Sequence, residues 1–329
     1  MISKLKKPFI IAEIGNNHEG SFKTAKKLIL EAYKAGVDAV KFQTFRAEEY
    51  VNEKDKNRFN RLKKFELSNI DFEKLAKFAK KKKLKFISTP FDLESAKFLN
   101  SIVDYFKISS GDNNYFQLIK KVLSFRKPTL ISTGMLNFID INNLIKFIKK
   151  NKFPTNKLIL LHCVSSYPAK DREANLRSIK FLKKKLKIKI GYSDHTLGIV
   201  APIIASAYGA SVIEKHFTLS KKYSNFRDHQ ISADPNEMKR MVYDIRRTSE
   251  MLGKNSKKIS NTEKKNINSM RRSIYAKKNI KKNIPIKPTD IKIVRPFKDL
   301  YPYEINKILK KKSKKYIKKN EAIIRKYIN

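Results

Sequence analysis

The sequence lacks tryptophan, and its 329 residues include a single cysteine, Cys163. One cysteine excludes an internal disulfide and a metal site built on paired cysteines. No apolar run reaches the roughly 18 residues that a transmembrane helix requires. The short run FIIAEI (9–14) contains Glu13, which makes it a poor core for a signal peptide. These absences predict a cytoplasmic protein that does not associate with membranes.

Acidic residues are also scarce, because 75 Lys and Arg face only 30 Asp and Glu and the formal net charge is +45. A charge of this size raises the hypothesis of a basic nucleic-acid-binding protein. However, 61 of the 75 basic residues are Lys and only 14 are Arg, the residue used for bidentate recognition. The Lys residues are spread along the whole chain, as is typical of solvated helix faces. We therefore expect no specific nucleic-acid partner.

Eight short runs rich in β-branched and aromatic residues alternate with longer segments whose apolar residues recur at helical spacing. One strand followed by one helix, repeated eight times, is the pattern of a (β/α)8 TIM barrel. A doubly wound sheet is the structural alternative, but no GxGxxG sequence follows the first run. The predicted strands are 9–14, 39–44, 84–89, 105–109, 129–133, 158–163, 188–193 and 211–217.

The composition along the chain predicts two domains. The barrel is expected to end with a helix at 235–252, within a catalytic domain of residues 1–255. Residues 256–269 are polar and indicate a linker. Short strand patterns, prolines and polar turns over 270–329 indicate a second, small β-rich domain.

Polar residues stand at the C-terminal end of every predicted strand. In a (β/α)8 barrel these ends form the face that carries the active site. A core does not accommodate charged side chains unless they are paired or used. The residues are Glu13, Lys41, Gln43, Ser88, Thr89, Lys107, Ser109, Ser110, Ser132, Thr133, His162, Ser165, Tyr167, Ser193, Asp194, His195, Glu214 and His216. Their convergence at one mouth predicts an active site.

The residue types at this mouth suit three tasks. His195 and His216, on neighbouring strands, suit a divalent ion such as Mn²⁺, Mg²⁺ or Zn²⁺ that substrate and water complete. Glu13 and Glu214 remain for anchoring a sugar and for proton transfer. A third set of residues offers cations, hydroxyls and glycine N–H groups, which suit the binding of an anion that carries a phosphate and a carboxylate. These residues are Lys41, Lys107, Ser110, Ser132, Gly111 and Gly134.

Some nearby side chains have structural interpretations. His18 and His162 are predicted to be structural, and Cys163 to be a small buried hydrophobic residue rather than a nucleophile. A Schiff-base mechanism, as in many barrel aldolases, is the chemical alternative, with the nucleophile among Lys41, Lys107 and Lys215.

The order of the strand-end motifs is similar to that of the sialic acid synthases, a family with N-acetylneuraminate, legionaminate and pseudaminate synthases among its members. The matching segments are FIIAEIGNNHEGS, DAVKFQTF, FISTPFDLES, FKISSGD, LISTGM, LLHCVSSYP, GYSDHTLG and IEKHFTL. The C-terminal domain resembles the antifreeze-like (SAF) domain of these enzymes through RRSIYAKKNIKK and DIKIVRP. The resemblance covers roughly residues 8–329.

This resemblance implies a metal-dependent enzyme that condenses phosphoenolpyruvate with an N-acetylmannosamine-like hexosamine aldehyde. The implied products are a nine-carbon 2-keto sugar acid and phosphate, which leaves with C–O cleavage. The implied cofactor is a divalent metal, Mn²⁺ or Mg²⁺, bound by His195 and His216. The implied catalytic residues are Glu13, Glu214, His195 and His216.

The resemblance also assigns the substrate contacts by position. The implied phosphoenolpyruvate-binding residues are Lys41, Thr89, Lys107, Ser110, Ser132, Ser165, Tyr167 and Ser193. The implied sugar-binding residues are Glu13, Gln43, Asp228 and Arg295. In the family an arginine at the position of Arg295 reaches the barrel of the partner subunit, so a domain-swapped homodimer is implied.

The sequence departs from the family pattern at three places, and the region 44–70 is compact. The segment at Asp228 reads KKYSNFRDHQIS, where a PGPD-like stretch is common. Ser165 stands where Asn is common, and RPFKDL follows where RPG-x-G is common. The acceptor sugar therefore stays open between N-acetylmannosamine, a diacetylated dideoxy hexose and a 6-phosphate form.

Overall fold

Eight parallel strands form the centre of the computed structural model, which describes residues 7–328. The strands are β1 Phe9–Gly15, β2 Ala39–Thr44, β3 Lys85–Pro90, β4 Tyr105–Ile108, β5 Thr129–Ser132, β6 Leu158–His162, β7 Lys189–Asp194 and β8 Val212–His216. Each strand pairs with the next in the chain, and β1 pairs with β8 to complete a closed barrel. The predicted (β/α)8 barrel is confirmed, and its closure excludes the doubly wound sheet.

Helices connect the strands and cover the outside of the barrel. They are α1 Phe22–Ala35, α2 Ala47–Tyr50, α3 Lys56–Phe65, α4 Asn69–Lys81, α5 Leu93–Ile102, α6 Phe116–Ser124, α7 Phe138–Lys150, α8 Arg177–Leu186, α9 Val200–Ala207, α10 Arg227–Ile231 and α11 Pro235–Leu252. In α1, Leu28, Ile29 and Ala32 recur at helical spacing and are fully buried. Within residues 7–328, no helix is both long and apolar enough to cross a membrane.

Side chains alternate between the two faces of each strand, which separates an inner layer from an outer one. Outward-facing residues such as Ile10 and Ile213 pack with the helices in one large apolar cluster. Inward-facing apolar residues from the N-terminal parts of the strands form a separate cluster, the barrel floor, which consists of Phe9, Ile11, Ala39, Ile87, Tyr105, Leu130, Ile159, Leu161 and Val212. The same alternation turns Glu13 and Glu214 into the interior above this floor.

The connection between β2 and β3 contains three helices rather than one. Its first two, α2 and α3, are held by a buried apolar cluster that includes Phe45, Leu62, Phe65 and Phe91. Tyr50 packs against Phe91 with ring centroids 4.3 Å apart. Because this connection leaves the C-terminal end of β2, it forms part of the barrel mouth.

Residues Lys254–Asn329 form a second compact unit. It contains α12 Asn261–Met270 and an antiparallel pair of strands, β9 Ser273–Ala276 and β10 Ile291–Val294. Its apolar core is built largely of isoleucine, including Ile274 and Ile317.

The segment predicted as a linker, 256–269, is not irregular throughout, because α12 occupies most of it. The Ser260 side chain caps this helix, and none of its residues is buried. A helix without an apolar face shows no periodic signal, which is why the sequence predicted only a polar connection.

Candidate active site

Four charged side chains from four strands meet inside the barrel: Glu13 on β1, Lys41 on β2, Lys107 on β4 and Glu214 on β8. The Lys41 ammonium lies 2.5 Å from Glu13 and 3.8 Å from Glu214. The Lys107 ammonium lies 3.9 Å from Glu214. All four side chains are at most 6% exposed. Mutual pairing offsets the cost of burying these charges and keeps two ammonium groups in the interior.

The interior gives the two carboxyl groups different proton affinities. Burial raises the pKa of Glu13 to about 7, although the Lys41 ammonium opposes the shift. Burial acts in the same direction on Glu214, but Lys107 and Lys41 outweigh it and hold the pKa of Glu214 below its usual value. Burial also lowers the pKa of Lys107. Glu13 can therefore exchange a proton near neutral pH, whereas Glu214 stays a carboxylate.

Hydroxyl groups from two further strands complete this charged cluster. Ser193 on β7 donates a hydrogen bond to Glu214 at 2.9 Å, and Lys41 donates to the Thr89 hydroxyl at 3.4 Å. The structure thus brings both of these predicted residues to the same place as the lysines and glutamates.

The Gln43 side chain links the cluster to the loop after β1. Its amide nitrogen donates to Glu13 at 3.4 Å, and its oxygen accepts a hydrogen bond from Asn16 at 2.9 Å. Asn16 was not among the predicted site residues. Its place in the polar sequence GNNH directly after β1 was the available signal.

Two serines close around Gly134, just after β5. The Ser110 hydroxyl accepts a hydrogen bond from the Gly134 N–H at 3.2 Å and lies 3.0 Å from the Cys163 sulfur. A Cβ atom at position 134 would lie 2.2 Å from the Ser165 hydroxyl and 2.6 Å from that of Ser110, so this approach requires glycine. Within the described residues the buried Ser165 hydroxyl has no hydrogen-bond partner. It is free to bind a ligand.

Asn113 holds the backbone of Ser132 and Gly134 in place. Its side-chain amide donates to the carbonyl oxygens of Ser132, at 3.2 Å, and Gly134, at 2.9 Å. Ser132 is buried and follows the inward alternation of β5. Asn113 was not predicted from the sequence, because nothing local distinguishes it from the neighbouring Asn114.

His195, just after β7, and His216, at the end of β8, lie with ring centroids 5.6 Å apart. The Nδ1 of His195 donates to the Val164 carbonyl oxygen at 2.7 Å, which leaves a lone pair on Nε2. The Nδ1 of His216 is buried without a hydrogen-bond partner in the described part of the chain. Burial lowers the pKa of both imidazoles, so both are neutral and offer nitrogen ligands.

Two neutral imidazoles fit a divalent metal whose other ligands come from water and substrate. Over residues 7–328, no group of three or more His, Cys, Asp and Glu side chains is placed to hold such an ion by itself. Tyr167 stacks on His195 at 4.2 Å between centroids and meets His216 edge-on at 6.1 Å. One side of the histidine pair is therefore closed by an aromatic ring.

Arg227 and Asp228, at the start of α10, lie beside Tyr167. The Arg227 guanidinium carbon is 5.0 Å from the Tyr167 ring centroid, and its Nε is 3.4 Å from the Asp228 carboxyl. Burial raises the pKa of Asp228. Asp228 was a predicted sugar contact, whereas Arg227 was missed although it is the adjacent residue.

Lys215 does not belong to the interior cluster. It alternates with the inward-facing Glu214 and faces the helices, where its ammonium pairs with the buried Asp194 at 2.6 Å. The Schiff-base alternative therefore loses Lys215 as a nucleophile. The predicted strand-end residue Asp194 likewise has a structural contact here.

Another predicted position, His162, also lies outside this cluster of barrel residues. His162 follows the outward alternation of β6, and its Nε2 lies 2.9 Å from the Ala174 carbonyl oxygen. Arg295 belongs to the second unit, directly after β10, and its side chain is exposed.

Comparison with known proteins assigns this chain to a family. A model described as the NeuB family matches residues 28–257, which is more than half of the chain. The chain belongs to the NeuB family. A model of the SAF domain matches residues 271–324 and confirms the predicted character of the second unit.

Two relatives that align with this NeuB-family chain over almost their whole length carry synthase names. It is 38% identical to the N,N'-diacetyllegionaminic acid synthase of Campylobacter jejuni, over 97% of this chain and 99% of that one. It is 34% identical to the pseudaminic acid synthase of the same species, over 97% and 96%. The crystal structure of an N-acetylneuraminic acid synthetase from Leptospira borgpetersenii matches with a TM-score of 0.75 and 37% identity, over 80% of this chain and 91% of that one. The resemblance to sialic acid synthases is confirmed, and the chain is an enzyme of the NeuB type.

Proposed function

We propose that this NeuB-family enzyme condenses phosphoenolpyruvate with an N-acetylmannosamine-like hexosamine aldehyde. The three carbons of one substrate and the six of the other give a nine-carbon 2-keto sugar acid, and phosphate is released. The observation that carries the proposal is the buried arrangement of Lys41, Lys107, Glu13 and Glu214 beside two neutral histidines. Such a cluster suits a small polyanion that reacts with a polar sugar.

The two lysines and the serines near Gly134 are the proposed phosphoenolpyruvate site. Lys107 is only loosely paired, at 3.9 Å from Glu214, so its ammonium can turn to an anion. The free Ser165 hydroxyl and the N–H groups after β4 and β5 supply uncharged donors. Thr89, Ser132, Tyr167 and Ser193 surround this site in the proposal.

In the proposed reaction, C3 of phosphoenolpyruvate forms a bond to the aldehyde carbon of the sugar. The aldehyde oxygen becomes a hydroxyl, and Glu13, with its pKa near 7, is placed to supply that proton. Water adds at C2, and the C–O bond to phosphate breaks to leave the 2-keto acid. Glu214 remains ionised and holds the two ammonium groups in position.

His195 and His216 are the proposed ligands of a divalent metal, Mn²⁺ or Mg²⁺. When bound, such an ion polarises a carbonyl oxygen as a Lewis acid. The tautomer of His195, fixed by the Val164 carbonyl, presents Nε2 for this purpose.

Gln43 and Asp228 are the proposed sugar contacts within the barrel, together with Glu13. We also propose that Arg295 of a second copy completes the sugar site in a domain-swapped homodimer. A second subunit would then contribute directly to each active site.

The test is turnover by purified protein with phosphoenolpyruvate, Mn²⁺ and a panel of hexosamines. We expect phosphate release with at least one of N-acetylmannosamine, its 6-phosphate and a diacetylated dideoxy hexose, and loss of that release with a chelator. Absence of phosphate release with every sugar, from folded and metal-loaded protein, contradicts the proposal.

A Schiff-base aldolase is the second candidate, and one observation favours it. Burial lowers the pKa of Lys107, which makes a neutral, nucleophilic amine more accessible. Borohydride trapping of a pyruvate adduct on Lys107 would support this mechanism. Unmodified protein after borohydride treatment, with phosphoenolpyruvate turnover intact, excludes it.

A further inference from the structure

A cavity lined by cations lies at the barrel mouth, beside the polar interior described above. Its volume is about 950 Å³, and it is lined by Arg58, Arg61, Lys64 and Arg227, with Glu19 as its acidic residue. Three of the 14 arginines of the chain thus line one cavity. Among residues 7–328, no carboxylate forms an ion pair with the side chain of Arg58, Arg61 or Lys64.

The elements around the cavity hold these cations toward one another. Arg58 and Arg61 are three residues apart on α3, so they project from the same face. The Arg58 guanidinium carbon lies 5.6 Å from the centroid of the Tyr50 ring, which itself packs against Phe91. Arg58 is therefore oriented by a packed aromatic pair rather than by a carboxylate.

The acidic residue of the cavity is already engaged. The Glu19 carboxylate accepts a hydrogen bond from the Ser224 hydroxyl and lies 3.2 Å from His229 Nε2. It supplies one negative charge against the four cations that line the cavity, so the cavity keeps a net positive charge. Exposed but converging cations of this kind attract an anion that can bridge them.

The cavity lies within the reach of one sugar from the proposed reaction centre. The Arg227 guanidinium lies over Tyr167, and Tyr167 stacks on His195. The two separations, 5.0 and 4.2 Å, put the guanidinium carbon no more than 9.2 Å from the His195 ring centroid. Arg61 is also close to Asp228, because its charge lowers the pKa of that carboxyl against the larger effect of burial.

We propose that this cavity binds a phosphate monoester carried by the acceptor sugar at the end remote from its aldehyde. The proposal rests on the proposed function and specifies its substrate class. A guanidinium presents paired N–H donors that match phosphate oxygens, and a dianion bridges several cations at once. A neutral polyol would leave the same cations without partners.

The experiment compares N-acetylmannosamine with N-acetylmannosamine 6-phosphate as acceptors, following the consumption of phosphoenolpyruvate. We expect kcat/KM to be about tenfold or more higher for the 6-phosphate. Arg58→Gln and Arg61→Gln should each lower kcat/KM for the 6-phosphate about tenfold to hundredfold, and change it for the neutral sugar by about twofold at most. Arg247→Gln, which removes an exposed arginine from α11 outside the cavity, is the matched control and should change neither.

The outcomes separate this inference from the proposed function. Turnover of the neutral sugar with no advantage for the 6-phosphate overturns the inference and leaves the function in place. The same holds if Arg61→Gln leaves the ratio of kcat/KM for the 6-phosphate to kcat/KM for the neutral sugar unchanged. Turnover of neither of these sugars, nor of the diacetylated dideoxy hexose, contradicts the function, and calorimetry without phosphoenolpyruvate then tests the cavity. Binding of the 6-phosphate no tighter than inorganic phosphate, or equally tight in Arg61→Gln, marks an adventitious anion site and overturns the inference. Because Arg58 and Arg61 are exposed, both variants should keep the wild-type melting temperature.

Discussion

Glu13 and Glu214 share Lys41 as a neighbour, at 2.5 and 3.8 Å, yet their proton affinities move in opposite directions. Glu214 has two additional partners, the Lys107 ammonium and the Ser193 hydroxyl, and both favour its ionised form. Glu13 has fewer such partners, so burial dominates. Because their pKa values are shifted apart, Glu13 is suited to donate a proton and Glu214 to remain an anion.

Replacing Glu13 by Gln keeps the shape of the side chain and removes its titrating proton. We expect kcat to fall about 10²–10⁴-fold and the dependence of activity on pH near 7 to disappear. A pH–rate profile of both proteins measures this.

The pH dependence of folding stability provides a second measurement on the Glu13→Gln variant. Because burial raises the pKa of the folded state to about 7, protonation of Glu13 stabilises the fold at low pH, and this contribution is lost as the pH rises through about 7. Denaturation of wild type and variant between about pH 5 and pH 8 checks the sign. Curves with the same pH dependence in both would show that Glu13 titrates normally.

The histidine pair gives a prediction about metal content. His195→Ala and His216→Ala should each lower the affinity for Mn²⁺ at least tenfold, because each removes one of two imidazole ligands. His162→Ala is the control, because His162 faces the helices and lies against the Ala174 carbonyl. Equal metal content in all four proteins after dialysis would refute the assignment.

Two glycines, Gly134 after β5 and Gly191 in β7, separate function from stability. A Cβ at position 134 would press on the Ser110 and Ser165 hydroxyls, whereas a Cβ at position 191 would lie 2.5 Å from Leu161 in the barrel floor. We expect Gly134→Ala to raise the KM for phosphoenolpyruvate roughly tenfold, with a smaller loss of stability than Gly191→Ala, because the Ser110 and Ser165 hydroxyls can turn away whereas the Val212 backbone oxygen, 2.8 Å from a Cβ at position 191, cannot. Gly191→Ala should instead destabilise the fold by about 1–3 kcal/mol through overpacking. An unchanged KM in Gly134→Ala would remove this loop from the binding site.

The eight strands were predictable because each combines β-branched residues with a polar C-terminal end, and the observed bounds differ from the predicted ones by at most one residue at either end. Helices α3 and α12 were not predictable in the same way. α3 is rich in charged residues and buries only Leu62 and Phe65, and α12 buries none, so both helices contain few of the apolar residues that mark a helix in a sequence.

Most candidate side chains in the barrel interior were also predictable, since the period of two along a strand fixes which residues face inward. The same rule would have turned Lys215 outward, because it lies between Glu214 and His216. Contacts between distant segments were not predictable. The bond from His195 to Val164 and the clamp of Asn113 on the loop after β5 depend on tertiary packing.

At the scale of the molecule, the net charge of +45 comes from two groups of basic residues in different surroundings. Most basic residues are solvated lysines, whereas Lys41 and Lys107 are buried against carboxylates and three arginines converge on one cavity. The part of the charge that lies in the proposed site and cavity is therefore small and defined by position.

The proposed homodimer can be tested by mixing two defective variants. Arg295→Ala should weaken use of the sugar through one subunit, and Glu214→Gln should disable the barrel of the other. In a domain-swapped dimer, a mixture refolded together should recover up to about one quarter of wild-type activity, because half of the dimers are hybrids with one intact site. If the mixture recovers no activity although both variants are folded, Arg295 does not contribute to the active site of the partner subunit.

The barrel floor has a consequence for the order of events. Its apolar residues close the interior below Glu13 and Lys41, so substrates reach the interior from the barrel mouth. With phosphoenolpyruvate held deep by Lys41 and Lys107, as proposed, the sugar arrives second and covers it. In this proposed arrangement the substrate that binds first lies deepest, and the substrate that binds second closes the way to it.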